Sequence, residues 1–287
     1  MSSAAGRQPG GDGPPSAPTL AATTTIERTM ADQLALPLDA TADRLPDLPD
    51  LRPMLARPLP EPFDSELHLF EPWWGGTRAL VFIGPATAAG AGDVRVIDAD
   101  GIDRTAALPE LAGTAVRVAA RSALLDGELV VVDADGRADA PALAARLEGG
   151  PGRASAFLAF DLLHVDGVSL LNQPLVKRRA ALRRILRPGD EVVAVPAIAT
   201  EGRALFEAIV AQGLAGMMAR QRQGPYLPGT RSRLWRFIPA RAGTVPAAEL
   251  AEAPAEPAAT ASATAPVLAM LSRLPFDDVG IRGGGES

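Results

Sequence analysis

Cysteine is absent from all 287 residues. That excludes disulfides and thiolate metal sites, and it suits a reducing compartment. No run of about 18 apolar residues occurs, so no transmembrane helix is predicted. The N-terminus lacks a basic segment leading into an apolar one, so no secretory signal is predicted either. These absences together set a cytoplasmic, non-membrane expectation. Aromatic residues make up 4% of the chain, and histidine occurs twice, as His68 and His164. Two isolated histidines are too few for a metal site and read as plain strand residues. Lysine is nearly absent too. Of 28 basic residues, Lys177 alone is lysine. Any chemistry that needs an amine therefore has one candidate.

The net charge of −6 argues on its face against nucleic acid. Its distribution weakens that exclusion. Residues 52–240 hold 22 basic and 21 acidic residues, while the flanks hold 6 and 13. The acidity belongs to the flanks, and the central region can carry a local basic face.

Residues 1–50 are mostly poor in apolar pattern, with a Gly/Pro/Ser/Ala/Thr-rich stretch over 1–29 that predicts disorder. Met30 is a candidate start on the same ground. Residues 241–265 read as an Ala/Pro-rich linker. Residues 266–287 read as a short tail whose apolar part has room for a turn or two of helix, either docked or frayed. Between 51 and 240, strand and helix periodicities alternate. ELHLFEPWW, TRALVFIGP, DVRVIDADG, SALLDGELVVVDADG, SAFLAFDLLHVDG, EVVAVPAIA, AGMMARQR and RLWRFIPA read as strands. LPELAGTAVRVAA, APALAARLE, PLVKRRAALRRIL and EGRALFEAIVAQG read as helices, the last closed by Gly213. The mixture predicts an α+β domain with antiparallel sheets flanked by helices.

Five segments carry the functional signal in order: EPWWGGTRAL (71–80), LLDGELVVVD (124–133), FLAFDLLHVDG (157–167), GLAGMMARQR (213–222) and GPYLPGTRSRLWRF (224–237). This series resembles the adenylation domain of ATP-dependent DNA ligases, a covalent nucleotidyltransferase (ATP-grasp-like) fold. It looks closest to the bacterial end-joining and repair ligases. The resemblance implies a DNA repair or recombination context, ATP with a divalent metal as cofactors, and nicked or broken duplex DNA as partner. In such enzymes a lysine amine attacks the α-phosphate of ATP to form lysyl-AMP. A carboxylate-bound metal and basic residues offset the phosphate charge.

Against the family's Glu-x-Lys-x-Asp-Gly-x-Arg motif, Glu71, Gly76 and Arg78 match, but Trp73 stands at the lysine and Gly75 at the aspartate. Indole nitrogen gives its lone pair to the ring and is no nucleophile. Ala99 stands where the family has a phosphate-facing arginine. Ala215 stands at the metal-binding glutamate, and Phe237 and Pro239 stand at the closing lysines. The positions matching nucleotide contacts remain as Glu71, Arg78, Glu128, Phe160 and Arg220, a vestigial pocket. Phe160 also reads as plain core, and Trp73 and Trp74 as filler or as a stacking surface. Arg222, Arg231, Arg233 and Arg236 are the candidate DNA contacts. The basic helix from Lys177 to Arg187 reads as a solvated face. Residues after 240 are too few and too linker-like for the oligonucleotide-binding barrel that usually follows this domain.

The implied reading is a ligase-like pseudoenzyme without catalytic or metal residues, binding DNA ends, nucleotide or a repair protein. The alternatives are an active enzyme with Lys177 as relocated nucleophile and a non-enzymatic interaction module.

Overall fold

The computed structural model describes residues 51–86, 90, 92–240 and 262–276. The expectations for residues 1–50 and for most of the linker lie outside these residues. Among the described residues, eleven strands form two sheets. The first takes β1 (Leu55–Pro58), β2 (Ser65–Trp73), β9 (Ile198–Thr200), β10 (Gly216–Gln221) and β11 (Arg231–Pro239) in the order β1-β11-β10-β2-β9. The second takes β3 (Thr77–Ile83), β4 (Val94–Asp98), β5 (Ala123–Val130), β6 (Ala156–Val165) and β7 (Val168–Ser169) in the order β4-β3-β5-β6-β7. The short β8 (Val192–Ala194) pairs with β6. Among the described strands, β1–β11 and β6–β8 pair in parallel and the others antiparallel. The expected α+β fold with mainly antiparallel sheets is what the chain adopts.

Side-chain alternation divides the interior. On the second sheet Leu80, Phe82, Leu124, Val130, Leu158 and Phe160 join one apolar cluster, which also holds residues of the first sheet. Ala79, Val81, Leu125, Leu129, Phe157 and Ala159 point the other way into a second cluster. That second cluster is shared with α2 (Ala140–Leu147) and α3 (Leu175–Ile185). Helix α4 (Gly202–Ala211) packs on β2 and β10, and Gly213 follows it at φ +72° in the left-handed conformation expected of a helix stop.

Two segments depart from expectation. LPELAGTAVRVAA is not one helix. It forms 3-10 turns at Thr105–Ala107 and Pro109–Gly113, then a single turn, α1 (Thr114–Arg117). Gly113 and the β-branched Val116 and Val118 make a poor helix. Val118 instead bridges to Leu186 as isolated β structure. EVVAVPAIA breaks at Pro196, which has no N–H for a ladder. Its halves become β8 in the second sheet and β9 in the first.

The C-terminal segment folds onto the domain. Thr264 donates its hydroxyl to the Gly189 carbonyl at 2.5 Å and its N–H to Asp190 at 3.1 Å. Helix α5 (Ala265–Leu271) buries Val267, Met270 and Leu271 completely, and Leu274 follows them into the inter-sheet cluster.

Candidate functional site

The site is built where the two sheets face each other. Register sets its residues. Glu71 pairs with Met218 and Trp73 with Gly216, while Arg220 stands opposite Trp235 and Met218 opposite Phe237. Glu71, Trp73, Arg220, Trp235 and Phe237 therefore project from one face of the first sheet. From the second sheet, Arg78 stands directly opposite Glu128, and Phe160 comes from the next strand. The five predicted pocket residues, Glu71, Arg78, Glu128, Phe160 and Arg220, are brought together, and all but Arg78 are buried.

Their contacts run to one another and to buried neighbours. Glu71 accepts from Arg179 at 2.5 Å and pairs with Arg220 at 2.6 Å. Arg179 also donates to the Phe160 carbonyl at 2.9 Å and the Val195 carbonyl at 2.5 Å. Arg78 donates through Nε and Nη2 to both oxygens of Asp126, each at 2.5 Å. Tyr226 donates its hydroxyl to the same carboxylate at 2.8 Å and accepts from the Met54 N–H. The Arg220 guanidinium carbon lies 3.6 Å from the Phe160 ring centroid and 4.2 Å from that of Trp235. Glu128 accepts from the Gly76 N–H at 2.5 Å.

Burial dominates the electrostatics. It lowers the Arg220 pKa to about 10, with Glu71 opposing and Arg78 adding to the fall. It lifts the Glu128 carboxyl to about 7, against the Gly76 and Trp74 amides and the charges of Arg78 and Arg220. Arg78 is held above the ordinary arginine value; burial works against this, and the Asp126 carboxylate overcomes it.

The substituted positions also converge. The Trp73 indole meets the Phe237 ring edge-on. Gly75 adopts φ +83°, and a Cβ there would stand 3.0 Å from that of Ala215. Pro239 lies opposite Gly216, which pairs with Trp73. The positions that the family resemblance gives to the nucleophile, the aspartate, the metal glutamate and a closing lysine thus form one apolar surface. Trp74 turns away into the core and donates to the Gly136 carbonyl at 3.0 Å.

The residues present do not fit a divalent metal. Glu71 and Asp126 are neutralised by arginines, Glu128 is spent on a backbone amide, and the fourth position is Ala215. Among the described residues no three of His, Cys, Asp or Glu converge as a metal site.

Sequence reasoning missed the inward arginines of α3. The expected solvated face of that helix is corrected: Arg178 is fully buried against Asp161, and Arg179 is buried against Glu71. Their spacing with Leu175, Leu182 and Ile185 places them on the buried stripe, which was the available signal. Lys177 is exposed; it lies two residues from Arg179 and so on a different face of the helix. Arg52 was also missed. It reaches the turn after β4 and donates to the Ala99 carbonyl at 3.4 Å. Of the four arginines expected to meet DNA, Arg231, Arg233 and Arg236 line one open cleft, together with Arg57 and Pro58. Arg222 instead donates to the Glu66 carbonyl at 3.1 Å and is not among that cleft's lining residues.

Two facing sheets with a buried carboxylate, arginine and aromatic cluster between them define a nucleotidyltransferase domain of the ligase type. The chain belongs to the ATP dependent DNA ligase domain family, whose model matches residues 53–237. It is 32% identical over 208 residues to DNA ligase C1 of Mycolicibacterium smegmatis, covering 65% of this chain and 56% of that protein. It is 33% identical over 167 residues to the multifunctional non-homologous end joining DNA repair protein LigD of Mycobacterium tuberculosis, covering 58% of this chain and 21% of that one. The fold matches a solved mycobacterial DNA ligase D complexed with ATP and MES at a TM-score of 0.56 and 29% identity, over 66% of this chain and 60% of that structure. The chain thus spans little more than half of one relative and a fifth of the other.

Proposed function

We propose that this domain belongs to DNA repair, has no self-adenylating chemistry, and acts by binding DNA. The observation that carries this is the apolar surface made by Trp73, Gly75, Ala215 and Phe237, where the family resemblance calls for an amine, two carboxylates and a second amine. A carbon surface neither attacks an α-phosphate nor offsets the charge of the departing pyrophosphate. Lys177 does not replace the missing amine, because it stands exposed on the outer face of α3.

Binding is assigned to the cleft of Arg57, Arg231, Arg233 and Arg236. None of these four forms an ion pair with a carboxylate among the described residues. Four unneutralised guanidinium groups around one open cleft favour a polyanion.

Incubation of the full chain with α-labelled ATP and magnesium tests the chemistry. No label should survive denaturation, and a stable protein–AMP adduct would overturn the reading. Gel shifts with nicked duplex at several salt concentrations test the binding. Affinity should fall steeply with salt, and Arg233→Ala with Arg236→Ala should flatten that slope by roughly one unit per lost phosphate contact. A salt-independent shift, or no shift, would remove the DNA assignment.

A further inference from the structure

Arg220 occupies an unusual place for a charged residue. Its guanidinium is wedged into the corner between Phe160 and Trp235, whose rings meet nearly at right angles, 84°, with centroids 6.3 Å apart. One edge is held by Glu71 at 2.6 Å. The other edge is not held: its Nε and Nη1 are buried without a hydrogen-bond partner. The corner thus has two aromatic walls and a carboxylate at one end; Arg220 fills it, and the Arg78 guanidinium carbon lies farther out, 4.5 Å from the Phe160 centroid and 5.1 Å from that of Trp235. A planar guanidinium satisfies the walls but not the edges. A purine base is flat, stacks on aromatic faces and carries donors and acceptors around its rim.

We propose that Arg220 is the built-in occupant of a slot for a planar base, and that it keeps purine nucleotides out of this domain. The inference rests on the reading of this cluster as a nucleotide pocket, and it adds a block separate from the loss of transfer chemistry. Trp73 removes the attacking group, whereas Arg220 removes the seat for the base. Glu71 does not depend on Arg220 for neutralisation, because Arg179 donates to its other oxygen at 2.5 Å. Removing Arg220 therefore leaves the Glu71 carboxylate still paired through Oε2, with Oε1 open to a donor on an incoming base.

The test is titration of AMP, without metal, into the full chain, followed by calorimetry and by tryptophan fluorescence, since Trp235 forms one wall. The wild-type chain should show no saturable binding up to millimolar AMP. Arg220→Ala should bind AMP at least tenfold more tightly than the wild type, and methylguanidinium should compete for the same corner. Arg220→Lys keeps a positive charge beside Glu71 with a smaller, non-planar head, and it too should bind AMP. Saturable binding of AMP by the wild type would overturn the proposal, as would absence of binding in a variant shown by circular dichroism to be folded. Should Arg220→Ala not fold, Arg220→Lys and the wild type decide the matter. Wild-type AMP binding without a labelled adduct would sink this inference alone. An adduct from labelled ATP would sink the loss of chemistry.

Discussion

The Trp73 indole meets the Phe237 ring with centroids 4.3 Å apart and planes 69° from parallel. Their strands are not neighbours, since β2 and β11 each pair with β10. The residue of β10 that pairs with Trp73 is Gly216, so no side chain stands between the two rings. The contact closes the inter-sheet space at the position where the family's reaction begins.

Trp73→Lys should therefore fail to restore adenylation. The new amine would face Phe237, Ala215 and Gly75, none of which offers a hydrogen bond or a charge from its side chain. Loss of the half-buried aromatic contact should also cost about 1–3 kcal/mol of stability. Labelled ATP and urea unfolding of the same preparation check both parts. An adduct in this single variant would mean that the apolar surface is not what blocks the reaction.

Arg178 and Asp161 form a fully buried pair, with Nε to Oδ1 at 2.9 Å and Nη2 to Oδ2 at 2.7 Å. Asp161→Asn leaves a guanidinium unneutralised in the interior and should cost about 3–5 kcal/mol. Replacing both, as Asp161→Leu with Arg178→Met, should cost less than either single change, because no charge is left stranded. Denaturant midpoints of Asp161→Leu, Arg178→Met and the double variant give the comparison. A double variant as damaged as the sum of the singles would contradict this account.

Much of this architecture was legible in the sequence because its signals are local. Alternation marked β2, β3, β5 and β6, and Gly213 marked the end of α4. The family frame picked out five residues that the fold does bring together. What was illegible depends on distant partners. Arg178 and Arg179 follow Lys177 in a run that looks solvated, and only Asp161 and Glu71, from other strands, draw them inward. Arg220 read as one of the nucleotide-contact positions, yet its planar head finds two rings contributed by β6 and β11. The single turn α1 defeated periodicity because apolar spacing alone does not register a glycine and two valines that weaken a helix.

The C-terminal helix should contribute to stability and not merely rest on the surface. Leu271 is fully buried in the inter-sheet cluster, so Leu271→Ala should cost about 2–5 kcal/mol. Gly136 approaches the helix so closely that a Cβ would fall 2.4 Å from the Pro266 carbonyl oxygen and 2.9 Å from Met270 Cβ. Its φ of +83° adds backbone strain for any side chain. Gly136→Ala should therefore also destabilise, through the same contact. Thermal unfolding of both variants checks this. A melting temperature unchanged in Leu271→Ala would show that the helix does not hold the domain together.

Glu128 should give the domain a pH dependence opposite to that of a salt-bridged carboxylate. Its folded pKa of about 7 lies above the ordinary 4.5, chiefly through burial. The folded chain therefore binds this proton more tightly than the unfolded chain does. Between those two values the folded state holds more protons, so stability falls as pH rises. The favourable term is fully present below about pH 4.5 and is lost as pH rises through about 7. A shift of this size corresponds to about 3 kcal/mol over the window. Glu128→Gln removes the titration and still offers an oxygen to the Gly76 N–H. Urea unfolding at pH 5 and pH 8 should show the variant gaining on the wild type by an amount of that order at the higher pH. Parallel pH profiles for the two proteins would mean that burial does not govern this carboxyl. The arginine charges of Arg78 and Arg220 would then have to hold it ionised throughout the range.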